Sequence, residues 1–133
     1  MAKSRTPENG KPVVLVAEDE RGMLGALVEV LSRHGFTALS ARTGDEAVAI
    51  ALQARPDVIL MDVMMPLLDG YAAARILKRD PRTENIPIIA FHAPPVSGGG
   101  RRGRCIKGYD EKHLLERIHG ALEKHSVGDG IGA

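Results

Sequence analysis

The chain contains no tryptophan, only two phenylalanines and two tyrosines, and a single cysteine. With so few rings there is little on which bases or sugars could stack. Cys105 alone cannot close an internal disulfide, which excludes a cystine-stapled secreted scaffold and fits a reducing cytoplasm. Charge of one sign is lacking too. The formal net charge is +1, so no global field draws the chain toward nucleic acid or a membrane. No apolar run is longer than a β-strand, and Met1 to Lys11 has no apolar centre of the kind a signal peptide carries. The expectation is a soluble cytoplasmic protein with neither nucleic-acid nor membrane partners. At 133 residues it can bury one core and has little room for a second.

What is present alternates. Residues 1–11 are polar and aperiodic and are expected to form a disordered leader, with a folded domain over 12–125 and a flexible glycine-rich tail over 126–133. Val13 to Ala17 is an apolar strand breaking into Glu18-Asp19-Glu20. Met23, Leu24, Leu27, Val28 and Leu31 recur at helical spacing between Gly22 and His34, and Gly35 supplies the C-terminal stop. Phe36 to Ser40 is a second strand, and Asp45 to Ala54 a helix with Ala47, Val48, Ile50 and Ala51 on its buried stripe. Val58 to Met61 is a third strand, continuous enough to be buried on both faces, with Asp62 at its carboxyl end. Asp69 is placed to cap a helix from about Tyr71 to Arg79, and Ile86 to Phe91 forms a fourth strand.

Beyond His92 the pattern fails. The stretch from Ala93 to Gly103 holds two prolines and four glycines and no amphipathic spacing, so a helix there is disfavoured. Arg104 to Ile106 reads as a weak fifth strand ending at Lys107, and Asp110 caps a last helix from about Glu111 to Lys124. Strands alternating with helices in this way imply right-handed crossovers and an α/β fold, a doubly wound parallel sheet. Five strands favour the flavodoxin-like order 2-1-3-4-5, here with its fourth helix missing or disordered.

In that order strands one and three are neighbours, so Glu18, Asp19 and Asp62 converge at one crevice, where ligands of open α/β sheets bind. Clustered carboxylates repel, and a hard divalent cation such as Mg²⁺ relieves the repulsion. Carboxylate nucleophiles form acyl phosphates, so phosphoryl transfer onto Asp62 is the chemistry that fits. Asp62-Val63-Met64-Met65-Pro66 with Asp69-Gly70 resembles the phosphoacceptor segment of two-component response regulator receiver domains, in particular stand-alone, chemotaxis-regulator-like ones.

The resemblance spans roughly Val13 to Lys124 and implies a role for each residue. Asp62 would accept the phosphoryl group, and Glu18, Asp19, Asp62 and the backbone carbonyl of Met64 would hold Mg²⁺. Lys107 would act as the phosphoryl charge partner, with Gly108 where proline is usual. His92 stands at the position where receivers carry the Ser or Thr of their switch, and Arg104 where they carry an aromatic residue. His92 and Lys107 are also too close in sequence to fit the helix that receivers place between their last two strands. The resemblance therefore does not extend to that helix, which forms part of the usual output face of receivers.

The implied function is that of a single-domain response regulator. A sensor histidine kinase or phosphotransfer protein would phosphorylate Asp62 in a Mg²⁺-dependent reaction. Output would be by contact with a downstream protein, as a monomer or weak dimer. Such a protein is not an enzyme on an external substrate; it promotes only its own phosphorylation and dephosphorylation. The alternative is a phosphorylation-independent pseudo-receiver acting as a protein-binding module. A flavoprotein on the same topology is disfavoured, because Glu18-Asp19-Glu20 would repel the cofactor phosphate.

Overall fold

A computed structural model describes residues 10–62, 70–91 and 111–130, with side chains given as far as residue 123. The elements are β1 (Val13–Ala17), α1 (Arg21–Arg33), β2 (Thr37–Ala41), α2 (Gly44–Ala54), β3 (Val58–Asp62), α3 (Gly70–Arg79), β4 (Ile88–Phe91) and α4 (Glu111–Gly130). The four strands form one parallel sheet in the order β2-β1-β3-β4. This is the flavodoxin-like α/β arrangement expected. The fifth strand expected over Arg104–Ile106 lies outside the described residues, as does the whole 92–110 segment with its expected missing helix.

Burial follows from the two-residue period of a strand. Val14, Val16, Val58 and Leu60 face one side, packed under Met23, Leu24, Leu27 and Leu31 of α1 and Leu114 and Ile118 of α4. Leu15, Ala17, Ile59 and Met61 face the other, under Ala47 and Ala51 of α2 and Ala73 and Leu77 of α3. Every residue of β1 and β3 is buried, which is why both read as unbroken apolar runs. Each large aliphatic side chain enclosed in this way contributes about 1.5–3 kcal/mol.

Local chemistry sets the ends of the helices. Thr43 Oγ1 accepts the Glu46 N–H at 3.1 Å, and Glu46 Oε1 accepts the Arg42 N–H at 2.7 Å, so α2 begins at Gly44, one residue before the predicted start. Gly35, at φ +87, follows α1 in the left-handed conformation expected of it. Arg55 does the same after α2 at φ 47, a position where a side chain adds strain. On α1 the buried stripe includes Val30, while Val28 is half-buried; on α2, Val48 and Ile50 are half-buried at the edge of the core. β4 is shorter than predicted, starting at Ile88, because Ile86 closes the preceding turn by donating its N–H to Thr83 O at 3.0 Å.

The last helix differs most. The sequence predicts an end near Lys124, but α4 continues to Gly130. Glycines weaken a helix without removing a donor, and no proline interrupts 125–130. Thr37 N–H donates to Pro12 O at 2.9 Å, which places the start of β2 and the end of α1 at the amino edge of the sheet. There His34 Nε2 lies 4.0 Å from Glu111 Oε2, and the Phe36 and His119 rings are 5.5 Å apart. α4 therefore passes the corner made by α1 and β2. Among the described residues no helix is long and apolar enough to cross a membrane.

Candidate functional site

β1 delivers its acids directly onto the carboxyl edge. Glu18 N–H donates to Ala41 O at 3.0 Å, extending the β1–β2 ladder by one rung, and the Glu18 side chain is fully buried. Its Oε2 accepts the Glu20 N–H at 2.8 Å. Glu20 in turn caps α1: its backbone is extended (φ −90, ψ 119), and its Oε1 accepts the Met23 N–H at 2.7 Å. A Cβ at position 22 would stand 3.4 Å from both Glu20 carboxylate oxygens, an ordinary van der Waals contact, so the folded-back carboxylate lies directly over the first turn of α1.

Asp62 closes β3, fully buried, with its Cα paired to that of Phe91 at the end of β4. Because β1 and β3 are neighbours, the crevice assembles from both. One carboxylate oxygen each from Glu18, Asp19 and Asp62 lie within 4.8 Å of one another. In an octahedral Mg²⁺ shell, oxygens bound at 2.0–2.1 Å stand about 3 Å apart in cis and about 4 Å apart in trans. The three carboxylates need contract only a little to meet such an ion, and an all-oxygen anionic donor set is the one a hard cation prefers. Unscreened by a cation, two ionised carboxylates at that separation repel by about 3.5 kcal/mol at an effective dielectric constant of about 20.

Glu18, Asp19 and Asp62, expected together from sequence, are thus brought together. Met64, His92 and Lys107 lie outside the described residues, as does the expected Asp69 cap. The capping role of Glu20 is the feature that sequence reasoning missed. Glutamate is not among the usual N-cap residues, and only its place directly before the α1 pattern hinted at it.

A parallel sheet wound on both sides, with its acids gathered where β1 and β3 end, defines a class of small α/β signalling domain. The chain belongs to the response regulator receiver domain family, whose family model matches residues 14–95. Protein PilH of Pseudomonas aeruginosa is 36% identical over 116 residues, covering 82% of this chain and 96% of PilH. The DNA-binding dual master transcriptional regulator RpaA of Synechocystis is 28% identical over 85% of this chain, which spans 50% of that protein. Among solved structures, the receiver domain of a sensor histidine kinase from Pseudomonas aeruginosa matches with a TM-score of 0.72 and 25% identity, covering 85% of this chain and 98% of that one. That structure holds a magnesium ion coordinated in its active-site cleft. The N-terminal domain of a response regulator receiver protein from Methanoculleus marisnigri matches at TM-score 0.60 and 30% identity, over 65% of this chain and 71% of its own.

The chain is therefore a receiver module of two-component signalling, a class phosphorylated on aspartate, binding Mg²⁺ in an acidic cleft and served by histidine kinases or phosphotransfer proteins. Such modules signal and do not turn over an external substrate.

Proposed function

We propose that this protein is a single-domain response regulator whose receiver, over residues 12–125, accepts a phosphoryl group on Asp62 in a Mg²⁺-dependent reaction. The observation that carries the reading is the convergence of Glu18, Asp19 and Asp62 within 4.8 Å at the carboxyl edge. The match along nearly all of PilH supports the single-domain part. The lone cysteine and the near-neutral charge fit a cytoplasmic protein that works through protein contacts.

In the proposed reaction a carboxylate oxygen of Asp62 attacks the phosphorus of a phosphohistidine on the partner. A P–O bond forms as the P–N bond breaks, and the histidine leaves to take up a proton. Glu18, Asp19, Asp62 and the Met64 carbonyl would hold the cation, which when bound neutralises charge on the transferring oxygens. Lys107 is proposed as the second positive partner and His92 as a donor in the place of the usual hydroxyl.

The test is incubation with acetyl phosphate and Mg²⁺, followed by intact-mass analysis. The expected result is one alkali-labile phosphate on the wild type, none on Asp62→Asn, and slower gain in Lys107→Ala. Absence of any gain in the wild type, with partner binding indifferent to Asp62→Asn, would instead establish the phosphorylation-independent binding module that His92 and Gly108 suggest.

A further inference from the structure

Glu20 belongs to the acidic loop but not to the carboxylate cluster, and nothing in the proposed chemistry uses it. Its hydrogen bonds form a relay. The Met23 N–H, in the first turn of α1, is accepted by the Glu20 side chain, while the Glu20 N–H is donated to the Glu18 side chain. The two bonds measure 2.7 and 2.8 Å and both run through one residue held in extended geometry. Met23 is buried against the sheet, so the amino end of α1 is a fixed point.

We infer that Glu20 is a positioning residue: by capping α1 it holds its own N–H on Glu18 and so keeps the Glu18 carboxylate oriented toward the site it shares with Asp19 and Asp62. The inference rests on the proposed reading of that site as a cation site. The physical reason is a competition for the backbone at position 20. With the side-chain cap in place, Glu20 stays outside the helix and its N–H points back at Glu18. Without it, the residue is free to join α1. Alanine favours that outcome, being the best helix former and among the poorest N-caps. The N–H would then turn toward the helix axis, and Glu18 would lose a donor that orients one of its oxygens. Groups that orient a metal ligand in this way typically change affinity about 10- to 100-fold when removed.

Glu20→Ala and Glu20→Gln both remove the charge, but only glutamine keeps an oxygen at the same reach. Mg²⁺ affinity is measured by titration calorimetry on the full chain, and amide exchange at position 20 is measured on metal-free protein. The expected result is an affinity about 10-fold weaker in Glu20→Ala and within about 3-fold of wild type in Glu20→Gln, on the scale of such orienting contacts. Position 20 should exchange faster only in the alanine variant. Equal losses in both variants would assign the effect to charge and overturn the positioning role; so would an alanine variant binding as the wild type does. If the wild type itself binds no Mg²⁺, the cation-site reading fails, and exchange at position 20 still decides whether Glu20 orders Glu18.

Discussion

Neutralising Asp62 should stabilise the metal-free protein and at the same time abolish its response to Mg²⁺. Asp62 is fully buried and has a carboxylate oxygen within 4.8 Å of both Glu18 and Asp19. At an effective dielectric constant of about 20 each ionised pair at 4.8 Å costs about 3.5 kcal/mol, so Asp62→Asn removes repulsion on the order of 7 kcal/mol. Relaxation of the carboxylates and the new need to satisfy an amide reduce this, leaving an expected gain of about 1–3 kcal/mol. For a domain of this size that raises the melting temperature by roughly 4–12 °C. Mg²⁺ at ten times its dissociation constant should stabilise the wild type by RT ln 11, about 1.4 kcal/mol, and the variant far less. Thermal unfolding of both proteins in chelator and in Mg²⁺, followed by circular dichroism, measures the four values. A variant that melts below wild type in chelator, or shifts equally with Mg²⁺, would refute the reasoning.

Two glycines give opposite predictions. Gly25 sits exposed inside α1 with open space where a Cβ would go, so Gly25→Ala should stabilise by about 0.5–1 kcal/mol in urea unfolding. Gly35, at φ +87, also has space, but Gly35→Ala should destabilise by about 1–2 kcal/mol because its backbone is left-handed. Ile118 is fully buried in the cluster beneath α1 and α4, and Ile118→Ala should cost about 2–5 kcal/mol, with amide protection in α4 lost first. Hydrogen bonds from the Arg82 side chain and backbone hold the Asp80 carboxyl down to about 2. Its folded value is the lower one, so its contribution is present above the ordinary carboxylate range and is lost as pH falls from about 4 toward 2. Asp80 should show that low midpoint in an NMR titration, and Arg82→Ala should return it toward 3.8.

Legibility from sequence tracked the range of the physics involved. β1 and β3 were readable because both faces of each are covered, leaving uninterrupted apolar runs. The meeting of Glu18 and Asp19 with Asp62 followed from strand adjacency alone. Contacts that depend on how distant elements settle were not readable. Asp57 accepts the Val13 N–H at 2.8 Å, tying the starts of β1 and β3, yet sequence presents it only as a residue after Pro56. Lys78 donates to the carbonyls of Glu84 and Ile86, and its burial there pushes its ammonium below the usual lysine range; an alternating pattern carries no trace of that. The same holds for α4, whose stripe announced a buried face but not the corner that His34 and Phe36 offer it.

The position of α4 bears on how the chain assembles as it leaves the ribosome. Three of the four described strands, and the helix covering each side of them, are encoded before residue 63, so half the layered structure can form while the rest is still being made. Leu114 and Ile118 arrive last, and until they do, part of the face built on Val14, Val16, Val58 and Leu60 stays open to water and to neighbouring nascent chains. Chaperone capture of that bare face should therefore compete with folding until α4 is in place.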